Sequence, residues 1–446
     1  MWQRWLAVVA AVALATGSKA TVYTVGAGGT HASLQEAVDA AFLNPGPDEV
    51  RLREGTLVGV TGVNGNLSNN DLTVSGGWDA SYAGTGSAPT ILDAAGMGSV
   101  LRVYPSGGNV QISRLSMHNG ALPSQPVGID VNATGFATVQ IFQVDIADGI
   151  VTSGSAGCVG LNARDDSQVS LSQSRVHHCT SGSALPGSSG GTGIRVVTLD
   201  RGRVSLDDVK VDEHQTQASV QTTGTGISVN GSGQSNVDLH NVRIHGNSTT
   251  APSVFGSGLA LELAGSATAT LSRLEVFDNL APGAASTTSQ LGLSASDFAA
   301  IRLVSSLLRD GPQSALSATS VGASARVHMH NLTIVQHAAR GIAFFGPAGS
   351  LTLHNSIVQD NGLTSPLPVG GGDHNLGADL LLTPVSFSGP GDYRLPSGSP
   401  GVDAGTDAVP LGLAAMDFVG EPRVQGAASD IGAFERTVPL FTSGFE

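Results

Sequence analysis

Charge, aromatic rings and cysteine are all scarce in this chain of 446 residues. Charged residues make up 13 % of it, and 21 basic residues stand against 35 acidic ones, a formal net charge of −14. An acidic balance lacks the basic footprint that nucleic acid or an anionic membrane requires. Aromatic residues make up only 4 %. Tyr23, Tyr82, Tyr104, Tyr393 and Trp78 all lie outside residues 110–361, so a sugar cleft floored by their rings is not expected there. Two cysteines are too few for a cysteine-built metal cluster or a multiply bridged scaffold. No apolar run is long enough to span a bilayer. Helical periodicity is missing from nearly the whole chain, which excludes helical repeats.

Glycine is abundant, at 60 residues, and so is a degenerate repeat. Nine similar segments begin at Val110, Val139, Val169, Val204, Val237, Ala269, Ile301, Val327 and Leu351. Successive starts lie 24 to 35 residues apart. Each unit places apolar residues at its first, third, sixth and eighth positions, as Val237, Leu239, Val242 and Ile244 do. Alternation within each pair marks a short strand with one buried face. The step of three between pairs demands a turn. The fifth position often holds a residue that tolerates positive φ: Asp208, Asn241, Asn331 and Asn355. A further strand, Gly-Ile-x-Val or close to it, starts at Gly128, Gly160, Gly193, Gly226, Gly258, Gly292 and Gly341. Three short strands per turn, with one tight corner and two looser ones, predict an all-β fold. The expected architecture is a right-handed parallel β-helix solenoid, in which each unit buries its apolar face against its neighbours.

The ends differ from the repeat. Residues 1–20 read as a secretory signal, with Arg4 at the start, an apolar run from Leu6 to Ala15, and Ser18-Lys19-Ala20 for cleavage. Its removal leaves 19 basic against 35 acidic residues, a net −16. No cysteine follows the apolar run, so a lipid anchor is not expected. Ser33 to Leu43 forms the one convincing amphipathic helix, with Leu34, Ala37, Val38 and Ala41 on one face and Ser33 and Glu36 as a capping box. It is expected to cover the open end of the solenoid before a first strand at Glu49–Arg53. Residues 21–361 are then one elongated domain, a β-helix with its N-terminal cap, and residues 362–446 close the far end. A monomer with no membrane span after signal cleavage is expected. Cys158 and Cys179 fall one coil apart, roughly 4.8 Å along the stack, within disulfide reach. An oxidising destination favours a bridge over two free buried thiols.

These residues resemble the bacterial β-helix proteins of the pectin-lyase-like superfamily. Thr24-Val-Gly-Ala-Gly-Gly-Thr-His-Ala-Ser-Leu-Gln-Glu-Ala-Val-Asp-Ala-Ala is similar to their entry segment, and Gly76-Gly77-Trp78-Asp79-Ala80 with Ile91-Leu92-Asp93 to an early coil. Ser399-Pro400-Gly401-Val402-Asp403-Ala404-Gly405, Asp417-Phe418-Val419-Gly420-Glu421-Pro422-Arg423 and Asp430-Ile431-Gly432-Ala433-Phe434-Glu435 together resemble the ending of choice-of-anchor Q proteins. Phe441-Thr-Ser-Gly-Phe-Glu446 resembles a tail of secreted proteins from some Gram-negative bacteria. The resemblance implies a secreted or cell-surface protein. It does not imply one activity, since the fold hosts lyases, hydrolases and adhesins.

The motifs of the family's enzymes are incomplete. The Gly-His-Gly and Arg-Ile-Lys of polygalacturonases are absent. Asp165-Asp166 and Asp207-Asp208 occupy turn positions, where aspartate is ordinarily structural. The outward column of the Gly-Ile-x-Val strands reads Asp130, Asn162, Arg195 and Ser228, and a second column reads Asn132, Arg164, Val197 and Asn230. Asp130, Asn162, Arg164 and Arg195 are therefore the candidate binding residues, and Arg195, Arg164 and Asp130 the catalytic candidates if there is catalysis. Arginine would bind or deprotonate a uronic acid, while aspartate would hold Ca²⁺ or act as an acid. Two acids are too few for a tight Ca²⁺ cage, so no cofactor is expected. His328, His330 and His354 could meet at one coil step, but they lack a carboxylate or cysteine and are expected to form a surface ladder rather than a metal site. The function expected is non-catalytic adhesion or binding to a polysaccharide, cell-surface glycan or matrix. The alternative is a polysaccharide lyase or glycoside hydrolase acting on an acidic polysaccharide.

Overall fold

The computed structural model describes residues 20–65, 71–152, 156–182, 188–282, 284, 288–366 and 371–436. The expected signal peptide, apart from Ala20, and the tail Phe441–Glu446 lie outside the described residues. The chain is a right-handed parallel β-helix. Twelve strands stack in parallel along one long sheet, from Thr21–Val25 to Leu351–His354. A second sheet of ten strands runs from Thr61–Gly65 to Ile342–Phe345. Twelve coils rising about 4.8 Å each give a rod roughly 50 Å long.

The nine units carry the long sheet, and their corners are sharper than the sequence suggests. Each fifth residue is left-handed, whether or not it favours that region: Arg114, Gln143, Gln173, Asp208, Asn241, Arg273, Ser305, Asn331 and Asn355 all have φ between 46° and 58°. Every tenth residue is left-handed too, from Asn119, Asp148, His178 and Glu213 through Gly246 to Asp360. The coil therefore has two equally tight corners five residues apart, not one tight and two loose. The first and third side chains, before the first corner, and the eighth, between the two, point inward. Val169, Leu171, Val176, Val237, Leu239, Val242, Ile244, Val327, Met329 and Ile334 are all at most 2 % exposed.

The sixth position, expected to be apolar, is serine in three units. The Ser174, Ser306 and Ser356 hydroxyls each accept the backbone N–H of the sixth residue one coil earlier: Val144, Leu274 and Leu332. Each donates to a carbonyl two residues back. A left-handed corner turns these backbone groups out of the sheet ladder, and the hydroxyl satisfies them.

Helix α1 (Leu34–Leu43) buries Leu34, Ala37, Val38 and Ala41 over the first coils. The Ser33 hydroxyl accepts from the Glu36 N–H at 3.2 Å, as a capping residue should. A strand at Thr21–Val25 precedes α1 and pairs with Asp48–Arg53, so the solenoid begins before its cap. The cysteines are bridged, with Cα atoms 6.1 Å apart. Gly149 leaves the room, since a Cβ there would lie 2.4 Å from the Cys158 sulfur.

The C-terminal segment does more than plug the end. Leu380 joins the main core and Asp379 accepts from Asn361, which closes the last coil. Residues beyond Thr406 then run back along the row of fifth-position corners. Asn355 donates to Thr406 O, Asn331 to Asp430 O, Ser305 to Met416 O and Arg273 to Phe418 O. The segments Asp417–Arg423 and Asp430–Glu435 build this strap. Asp417 accepts from the N–H groups of Val419, Glu421 and Glu435, and Arg423, 2 % exposed, donates to Gly432 O and Ala433 O.

Candidate functional site

Strand register corrects the expected columns. Asp130 pairs with Gly160 and not with Asn162; Gly160 pairs with Arg195. Asn162 stands beside Asn132, and Arg164 lies past the strand end, exposed in a turn. The glycine preceding each strand is replaced by Cys158 in this coil, so aligning on Gly160 shifts the reading by two residues. Gln290 replaces it in the coil of Gly292, with the same result.

Asp130 and Arg195 share a column but form no ion pair. Asp130 is 6 % exposed and accepts a hydrogen bond from the Tyr104 hydroxyl. Burial raises its pKa despite that bond and the nearby Arg102 and Arg195. Burial, with the hydrogen bond to Asp130, pushes Tyr104 up to about 12. The Arg195 guanidinium makes no hydrogen bond among the described residues, and burial lowers its pKa. Pro126 lies over Gly160, and Gly191 packs against Arg195 and Ser228. Strands Ser188–Gly190, Gln221–Thr223 and Ser253–Phe255 form a small parallel sheet beside this column. The loop residues 183–187 lie outside the described residues.

The exposed chemistry is on the long sheet, between the two tight corners. Here the seventh and ninth positions of each unit point outward. The seventh-position column reads Ser116, Asp145, Arg175, Lys210, Arg243 and Glu275. The ninth reads His118, Ala147, His177, Asp212, His245, Phe277 and Arg309. Together they bring six ionisable side chains into adjoining positions on three coils. The signal was in the repeat: the same alternation that buries the eighth residue exposes the seventh and ninth. The expectation followed only the Gly-Ile-x-Val strands and missed it.

Two carboxylates of this face, Asp212 and Glu275, are themselves buried and anchor its cations. Arg175 makes a two-pronged contact to Asp212, Nε to Oδ1 at 3.0 Å and Nη2 to Oδ2 at 2.6 Å. Lys210 Nζ lies 3.4 Å from the same carboxylate. Burial works to raise Asp212, but Arg175 outweighs it and holds the carboxyl below its ordinary range. Glu275 binds Arg243 at 2.6 Å and Arg309 at 2.8 Å. Arg309 also lies over the Phe277 ring, which stacks on His245. His177 contacts Asp145 at 3.1 Å and the His178 ring at 2.5 Å, and His178 meets Glu213. The hydrogen bond from His177 lowers the Asp145 pKa.

An open groove of 810 Å³ runs over this face. It crosses the coils from Leu115 and Ser116 to Asn241 and Arg243, with Asp145, Arg175 and Lys210 between them. Among the described residues, no three His, Cys, Asp or Glu side chains are placed to hold a metal ion. The histidine ladder differs from expectation. His330 is fully buried, bonded to Asn331 and pushed down by burial to about 4, while His354 turns to Asp373 and His328 to Thr352.

No family model and no curated protein matches this chain. Among solved structures it is similar to pectate lyase Pel9A, with a TM-score of 0.43 and 12 % identity over 94 % of this chain and 97 % of that chain. So distant a likeness carries no argument about activity. Among the described residues, no helix is long and apolar enough to cross a membrane.

Proposed function

We propose that the protein is an exported β-helix that holds an acidic polysaccharide along the groove between its tight corners, without cleaving it. The observation that carries this is the run of Arg175, Lys210 and Arg243 on three consecutive coils. One cation per coil, repeated about every 4.8 Å, suits an extended chain with a carboxylate or sulfate on each residue. The pairing of these cations with Asp212 and Glu275 favours binding over chemistry. A general base must shed its proton, and a guanidinium fixed by a buried carboxylate is held in its charged form. The runner-up, a polysaccharide lyase or hydrolase, would need one of these groups released when substrate arrives.

The C-terminal motifs and the expected leader fit an exported protein of a Gram-negative bacterium, similar to choice-of-anchor Q proteins. The disulfide fits the same destination. Arg195 and Asp130 stand apart from the groove, so in this reading they do not carry the affinity. The test is retention on polygalacturonate and on a sulfated glycan at low and high salt. Lys210→Ala with Arg243→Ala is expected to weaken binding about tenfold to a hundredfold, on the order of two interfacial charge contacts. Arg195→Ala is expected to leave it unchanged, and salt to weaken the parent. Unsaturated ends or new reducing ends from the parent protein would replace binding by the enzymatic reading. No binding to any acidic glycan would end both.

A further inference from the structure

A second groove lies on the other side of the tenth-position corners, and it differs in chemistry. The short strands Ala121–Leu122, Ile150–Val151, Thr180–Gly182, Gln215–Gln217 and Ser248–Thr249 form a third parallel sheet. A groove of 770 Å³ runs along its outer face. Among the described residues, no charged side chain lines it. The side chains it presents are Thr152, Thr180, Gln215, Gln217, Ser248 and Thr250. None of the six makes a side-chain hydrogen bond to a described residue, so their hydroxyl and amide groups are available to a ligand. Thr180, Gln215 and Ser248 stand in strict register on consecutive coils.

The sheet behind these groups is fixed. Its inward side chains Val151, Ser181, Thr216 and Thr249 are at most 4 % exposed. Thr216 pairs with Thr192, and Thr249 donates to Thr222 at 3.1 Å. Ala218, Ala251 and Val254 pack into a small apolar cluster of their own. A groove held this way loses little entropy when it binds.

We infer that this face binds an uncharged, extended polysaccharide. A polyanion would need cations, and a metal ion would need carboxylates; the groove has neither. A lipid or an apolar peptide would need an apolar floor, and among the outward side chains only Ile150 supplies one. A polymer whose every residue offers hydroxyls, and no charge, matches donors and acceptors repeated once per coil. The ridge of Asp148, His178 and Glu213 separates this groove from the charged one, so the two can be lost independently.

The experiment is affinity electrophoresis of the full protein in gels containing mixed-linkage glucan, xylan or galactomannan, with polygalacturonate as a fourth gel. At least one uncharged polymer should retard the parent, equally at low and high salt. The double variant Gln215→Ala, Gln217→Ala should lose about tenfold in affinity, in line with removal of central interface contacts, and Thr180→Glu should do the same from the neighbouring coil. Both must melt like the parent, as exposed positions allow. The Lys210→Ala, Arg243→Ala protein should keep its affinity for the uncharged polymer. Failure of the parent to bind any uncharged polymer overturns the proposal. So does retention unaffected by both groove variants, or retention abolished by salt. Failure of the parent to bind polygalacturonate, with the uncharged polymers still bound, would instead strike the acidic-glycan reading.

Discussion

Each tight corner places a residue in the left-handed region, and most of those residues are not glycine. Gln173, at φ 48°, is exposed, and its side-chain amide oxygen accepts one long hydrogen bond, 3.3 Å, from Gln143 on the preceding coil. A non-glycine side chain there costs roughly 1 kcal/mol, while glycine gives part of that back as backbone entropy. Gln173→Gly is therefore expected to raise the thermal midpoint slightly, and a drop would show that the side chain stabilises the corner. The inward polar residues carry a larger effect. His214 is wholly buried, donates to Val176 O and accepts from the Cys179 N–H, and burial pushes it down to about 3. Burial pushes His337 down to about 4. Both fold as neutral rings, whereas in the unfolded chain they take up a proton near 6.5. Their contribution is thus whole above pH 6.5 and is lost as pH falls toward 4 and then 3. Two units below 6.5 this amounts to roughly 2–3 kcal/mol per ring. The melting temperature is expected to fall steeply between pH 6.5 and 4.5, and less steeply in His337→Asn. Glu435 acts in the opposite sense: burial raises it to about 7, so its contribution is whole below 4.5 and fades as pH rises through 7. The sequence showed four of the nine fifth-position corners through Asp and Asn. Arg114, Gln143, Gln173, Arg273 and Ser305 gave no such sign, because stacking on a good neighbour forces a conformation that local preference would not choose.

Among the elements, the coils differ mainly in what fills the core beside the second corner. The eleventh residue of each unit points inward, and from His214 onward these side chains are linked. His214 N–H donates to Asn247, Asn247 to Asn279, and Asn279 to Gln290. Three units have glycine there, Gly120, Gly149 and Gly311. At Gly149 and Gly311 the missing side chain is supplied from across the coil, by Cys158 and by Gln290, whose amide nitrogen lies where a Gly311 Cβ would come within 2.0 Å. These are the two places where a plug replaces the expected glycine and where register read from glycine alone slipped. The amphipathic α1 and the buried first, third and eighth positions were legible because their periodicity is local. A plug from across the coil is not, because it depends on which glycine it faces. The bridge closes a span of 21 residues, which corresponds to about 3 kcal/mol. Cys158→Ser with Cys179→Ser is expected to lose about that much in urea unfolding monitored by far-UV circular dichroism. An unchanged midpoint would mean that packing against Gly149 suffices without the bond.

At the scale of the whole molecule, the rod carries two grooves along one side, parallel and separated by a single ridge. The charged one was hidden from the sequence only by the choice of strand, since every residue of it sits at a fixed step from a recognised core position. The uncharged one was hidden for a physical reason: short strands of two or three residues have no periodicity to read. The C-terminal strap crosses the corners of four units, at Arg273, Ser305, Asn331 and Asn355, and buries Arg423 between them. A solenoid whose coils touch only their neighbours can assemble progressively as the exported chain emerges across the membrane, N-terminal coils first. The strap residues arrive last, after every coil they fasten. Until then the row of corners from Arg273 to Asn355 has no cover. The last stretch of the chain to emerge therefore converts a growing stack into a sealed one, and a chain that stops short of Asp417 would end with its last four units stacked but unfastened.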